Sequence, residues 1–186
     1  MMDRDLPYYV EIDGEKHPIR NNCDFRVVLD VISALNDEEY DMPLRLEIAL
    51  CIFYEDSSKI KNGEKALTEM MRIINLGEES KQRKDDSKPI MDWDHDYNRV
   101  IPPINKVLGY ETRQPDRLTH WWTLVSAYYE IGSDCSFAQI VSIRSKKNKG
   151  KKLEKYEEEF YRANREAIDL PRRLSEEEKA WLSDDW

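Results

Sequence analysis

The strongest constraint on this chain is the spacing of its apolar residues, which recur at intervals of three and four along much of its 186 residues. Phe25, Val28, Leu29, Ile32 and Leu35 form one such stripe, and Asp24 stands before it as a helix N-cap. Ala66, Leu67, Met70, Met71 and Ile74 form another, on a helix expected from about Gly63 to Leu76 and closed by Gly77. Between them, Leu44, Leu46, Ile48, Ala49, Leu50, Cys51, Ile52 and Phe53 leave almost no polar face on a helix expected over about Pro43–Tyr54. Such a helix belongs in a core, and Pro43 is tolerated in its first turn.

One segment departs from the helical period. Tyr8 to Ile12 is rich in strand formers, Asp13-Gly14 is a two-residue turn signal, and Lys16 to Ile19 returns. A small hairpin is expected over residues 8–19, and it must pack on something because a lone hairpin is marginal.

Beyond residue 78 the pattern resumes. Residues 78–88 lack any hydrophobic side chain and read as an exposed loop. A helix is expected from about Asp92 to Leu108, with a kink or break at Pro102-Pro103. Further helices are expected over Asp116–Ile131, about Ser136–Arg144 and about Lys151–Ile168. Ser175-Glu176-Glu177-Glu178 is a capping-box pattern that opens a last short helix. The 6 glycines and 8 prolines are too few for a loop-rich all-β fold. The expected architecture is mainly α: a multi-helix single domain with a small N-terminal β-hairpin and a C-terminal helical extension. Residues 1–144 form the expected core domain and residues 145–186 the extension.

Charge narrows the function classes. With 29 Lys+Arg against 38 Asp+Glu, the net charge is −9, which argues against a general nucleic-acid binder. No apolar run reaches the length of a membrane helix, and the first residues, Met1 to Pro7, lack the apolar region of a signal peptide. Three widely spaced cysteines, Cys23, Cys51 and Cys135, fit inert thiols in a reducing compartment. These features describe a soluble intracellular protein without a membrane partner.

Chemistry finds little material. Asp92-Trp93-Asp94-His95-Asp96 has the spacing of a calcium-loop start, but Tyr97 and Pro103 stand where that loop needs Gly and Glu. The plain reading is acidic residues at a helix N-terminus. His17, His95 and His120 form no metal pair, and no nucleophile-elbow, Walker or dinucleotide-binding glycine pattern is present. The expectation is a non-enzyme with no catalytic, cofactor or metal residues. Trp121-Trp122 reads as core, because its neighbours continue the same stripe; an aromatic anchor for a partner is the alternative.

Charge is also unevenly placed. Between Arg144 and Lys155 lie seven basic residues and one acid, so this block is net +6 and the remainder of the chain net −15. The block then enters a helix with Leu153, Tyr156, Phe160, Ala163, Ala167 and Leu170 on a narrow stripe. We therefore mark Lys146, Lys147, Lys149, Lys151, Lys152, Tyr156 and Phe160 as candidate partner-binding residues, with Trp181 and Trp186 near the C-terminus. A homo-oligomer in which the basic block of one subunit faces the acidic body of the next is the attendant expectation.

Several segments in order resemble a known family. They are Leu6-Pro7 with Ile12-Asp13-Gly14, then Asp24-Phe25-Arg26, then Asp92 to Asp96. Leu118-Thr119-His120-Trp121-Trp122 followed by Phe137 to Arg144 is the most specific part. This order resembles a family of tail proteins from long-tailed phages and prophages of Gram-positive bacteria, encoded just before the tape-measure gene. The resemblance spans roughly residues 6–170. It implies a mostly helical tail assembly chaperone that binds the tape-measure protein, recruits tail-tube subunits and tends to oligomerise. It implies no catalytic residue or cofactor, a place in the host cytoplasm and absence from the finished virion. A minor tail or connector protein retained in the virion is the alternative. Pro102-Pro103 and the chain from Pro171 onward depart from the family pattern.

Overall fold

A computed structural model describes residues 5–78 and 88–171. The fold is mainly α with a small N-terminal hairpin, as the apolar periodicity predicts. The expected loop at 78–88 (but for its end residues), the short helix opened by Ser175, Trp181 and Trp186 lie outside the described residues.

The described residues divide into two compact units, one from 5–78 and 100–132, the other from 88–99 and 133–171. The division falls elsewhere than at 144/145.

In the first unit, β1 (Tyr9–Ile12) pairs antiparallel with β2 (Glu15–Pro18). Asp13 and Gly14 take φ of 51° and 84°, the two positive values that a type I′ turn requires. Val10, Ile12 and His17 turn inward. Helix α1 (Phe25–Asn36) follows, its N-terminus capped by Asp24 as expected. Helix α2 (Met42–Phe53) packs on α1, and α3 (Gly63–Ile74) packs on α2 and on β1. Arg20, just after the hairpin, donates to the carbonyls of Ile52, Cys51 and Tyr54 at 2.8, 2.9 and 3.0 Å. It thus satisfies the end of α2, where carbonyls have no helical partner. Phe25, Val28, Val31, Phe53, Tyr54, Met70 and Ile73 are fully buried in this unit.

Helix α4 (Trp93–Leu108) runs through Pro102-Pro103 without a break, so of the expected kink or break the break is ruled out. Prolines at these positions deprive the Asn98 and Arg99 carbonyls of their helical donors. Both of those residues are exposed, so water can serve them, while Val100, Ile101 and Ile104 are fully buried and hold the turn helical. The unit boundary at 99/100 falls in the same turn.

Helix α5 (Trp121–Tyr129) is shorter than the expected Asp116–Ile131. Its start is fixed by pairing rather than by periodicity. The Thr119 N–H donates to the Asp24 carboxylate at 2.7 Å, and the Phe25 N–H donates to the Thr119 carbonyl at 2.9 Å. That extended pairing keeps residues 118–119 out of the helix.

In the second unit, α6 (Ser136–Asn148) continues past the expected end at Arg144. It closes on Gly150 at φ 63°, with the Lys151 N–H donating to the Lys146 carbonyl and the Gly150 N–H to that of Lys147. This is the Schellman arrangement. The expected single helix over 151–168 is two: α7 (Lys155–Ala163) and α8 (Arg165–Ile168). Glu154 and Glu157 form a capping box that delays the start of α7. Asn164 ends it by donating its side-chain amide to the Phe160 carbonyl at 2.9 Å. Ile140, Ile143 and Ile168 form the core, packed by Leu153, Phe160, Tyr161 and Ala167.

Candidate interaction surface

The residues that looked chemical in the sequence have structural partners. Trp121 and Trp122 donate their indole N–H groups to the Ile74 and Ile73 carbonyls at 2.9 and 2.8 Å, closing the end of α3. His120 caps α5 by accepting the Trp122 N–H at Nδ1, 3.0 Å away, while its Nε2 reaches the Pro7 carbonyl at 3.2 Å. Burial, which penalises the imidazolium, holds its pKa below the usual histidine value. Asp92 caps α4 by accepting the His95 N–H at 2.9 Å, and Asp94 is exposed. Among the described residues, no three His, Cys, Asp or Glu side chains gather as a metal cluster, and no helix is long and apolar enough to cross a membrane.

Asp96 has a role that sequence reasoning missed. It is fully buried and forms a two-pronged ion pair with Arg144 at 2.6 and 2.8 Å. Arg144 also donates to the carbonyls of Ile168 (2.7 Å), Ala167 (2.8 Å) and Ile90 (3.0 Å). All five guanidinium N–H groups thereby have acceptors. One arginine ties α4, α6 and α8 together inside the second unit. The signal in the sequence is faint: Arg144 ends an apolar run, but its neighbours Lys146 and Lys147 disguise it as part of a basic block.

The basic block therefore divides. Arg144 is buried. Lys146 pairs with Glu157 at 2.6 Å, and that ion pair holds the lysine pKa above and the carboxyl pKa below their ordinary values. Lys147 pairs with Asp169 at 2.6 Å and lies 3.8 Å from the Tyr161 ring centre. Phe160 packs into the second unit's core. Lys149, Lys151, Lys152 and Lys155 are exposed and belong to no ion pair among the described residues; Tyr156, 70% exposed, follows them at the start of α7. Of the candidate partner-binding residues, Lys149, Lys151, Lys152 and Tyr156 thus remain exposed within one short stretch, anchored between them by Leu153 on the core.

A second surface was not foreseen. Helix α2, expected in the core, buries only Ala49 and Phe53 fully. Leu44 is 40% exposed, Met42 56% and the preceding Tyr40 44%, and Cys51 is exposed. Leu44, Ile48 and Cys51 stand at i, i+4 and i+7, so they form a stripe on the flank opposite the buried Ala49 and Phe53. Apolar composition states which residues tolerate burial, not how many neighbours the fold supplies. By helical spacing exposed Glu47 lies beside this stripe, and exposed Glu39 and Asp41 stand at the N-terminal end of α2; none of the three enters an ion pair among the described residues. Asp41 also caps α2 through the Leu44 N–H at 3.0 Å.

The sequence matches the family model described as "Bacteriophage Gp15 protein" over residues 2–170. No curated protein and no solved structure gives a match. Since that match covers most of the chain, the protein belongs to the bacteriophage Gp15 family.

Proposed function

We propose that this chain is a non-catalytic tail assembly chaperone, which binds the tape-measure protein of its phage and assists assembly of the tail tube in the host cytoplasm. Membership of a phage family supports a structural or assembly role, and the resemblance in the sequence supplies the finer one. The observation that carries the reading is the uncovered apolar flank of α2 with its exposed acids. A protein that forms a coat on a long, aggregation-prone client needs an apolar surface for contact, with the client or between its own copies, and a charged exterior for solubility.

Co-expression with the product of the neighbouring tape-measure gene is the direct test. The client becomes soluble and co-purifies on this reading. A client that stays insoluble, or a soluble client that does not co-purify, removes the chaperone role.

A further inference from the structure

The two exposed surfaces complement each other. The flank of α2 offers an apolar stripe, exposed Leu44 and Cys51 with half-buried Ile48 between them, together with Glu39, Asp41 and Glu47. The segment from Lys149 to Tyr156 offers one exposed aromatic ring beside Lys149, Lys151, Lys152 and Lys155. The segment is net positive despite Glu154 and the flank is net negative despite Arg45, and none of the four lysines nor Glu39, Asp41 or Glu47 finds an ion-pair partner among the described residues of its own chain. The rest of the basic block is already neutralised internally, Lys146 by Glu157 and Lys147 by Asp169. The fold thus separates lysines that stabilise the second unit from lysines turned to solvent.

We propose that the α2 flank of one copy receives the 149–156 segment of a second copy. Tyr156 packs on the apolar stripe while the four lysines face the acids of the flank. The occupant is a second copy because both halves of a charge-matched, part-apolar contact are present in one chain. The two surfaces differ, so the contact is heterologous: each copy keeps one free surface of each kind and can add another copy. This rests on the reading of α2 as a contact surface for assembly, and it identifies what occupies that surface.

Sedimentation velocity of the purified chain tests it without any client. Wild type sediments as species larger than a monomer at about 0.05 M salt and shifts toward monomer at about 0.5 M, where screening shortens to a few ångströms. One variant alters the segment (Lys149→Gln, Lys151→Gln, Lys152→Gln, Tyr156→Ser). The other alters the flank (Glu39→Gln, Leu44→Ser, Glu47→Gln). Each alone weakens self-association by more than about tenfold and keeps the wild-type circular dichroism, since every altered side chain is exposed. An equimolar mixture of the two forms a dimer and nothing larger, because only one intact flank and one intact segment remain per pair.

A wild-type chain that stays monomeric at low salt overturns the proposal. So does assembly that survives either variant, or a mixture that stays monomeric. If the flank variant self-associates normally but no longer captures the tape-measure protein, the client occupies α2: this inference falls and the chaperone reading stands. If assembly behaves as stated while wild type captures no client, the reverse holds.

Discussion

At the scale of single residues, the second unit depends on Arg144. Its planar fork meets five acceptors, among them a carboxylate with no exposure. Arg144→Met leaves Asp96 as a buried, unpaired charge and releases three carbonyls, so a loss of about 3–5 kcal/mol is expected. Denaturant unfolding measures the loss, and hydrogen exchange of α6 to α8 should rise with it; unchanged exchange there would contradict this account. His120 predicts a pH effect. Its neutral form accepts from Trp122 at Nδ1 and donates to Pro7 from Nε2. The folded pKa lies below the ordinary 6.5, so the unfolded chain takes up protons first as pH falls. This contribution is intact above about pH 6.5 and declines as pH drops from there toward the lowered folded value. His120→Asn keeps an acceptor for the Trp122 N–H, so its melting temperature should lose part of the slope between about pH 7.5 and pH 5.5. The cysteines differ as well. Burial pushes the Cys23 thiol up to about 12, whereas Cys51 is exposed on α2. At about 0.5 M salt, where the chain is expected to be monomeric, iodoacetamide should therefore modify Cys51 in the native protein and leave Cys23 intact until unfolding, as peptide mapping would show.

At the scale of elements, local signals were readable where one residue dictates geometry. Asp13-Gly14 fixes the hairpin, and Asp24 starts α1. Signals failed where the outcome depends on distant partners. Nothing near Thr119 announces that its N–H will be taken by Asp24, which is what shortens α5. The uniform apolarity of α2 gave no hint that only Ala49 and Phe53 would be fully covered. The exposed segment was legible in Lys149, Lys151, Lys152 and Tyr156, while Lys146, Lys147 and Phe160 could not be told apart from them without the fold. Helix α4 shows the opposite case, a local signal for a break overruled by packing. Pro102 is exposed and denies the Asn98 carbonyl a donor, while buried Val100, Ile101 and Ile104 keep the turn helical. Pro102→Ala returns that donor without disturbing the core, so it should stabilise the protein by up to about 3 kcal/mol. A melting temperature that does not rise would mean that the proline is matched to its site.

At the scale of the whole molecule, the net charge of −9 conceals a sorted distribution. Some lysines are locked in ion pairs, others are left for solvent, and acids line an apolar flank. Contacts made from such surfaces are reversible, because exposed ion pairs contribute about 0–1 kcal/mol each and weaken with salt. Reversibility suits a coat that must be stripped from its client as tube subunits take its place. On the proposed chaperone role, therefore, the chain leaves during assembly instead of becoming part of the tail. Quantitative mass spectrometry of purified particles checks this against the tube protein. The expected amount is far below stoichiometric, and washing particles at high salt should lower it further. A fixed stoichiometric amount that resists such washing would instead assign the chain to the finished tail as a connector or minor tail protein. Weak contacts of the kind described here could not then be what holds it.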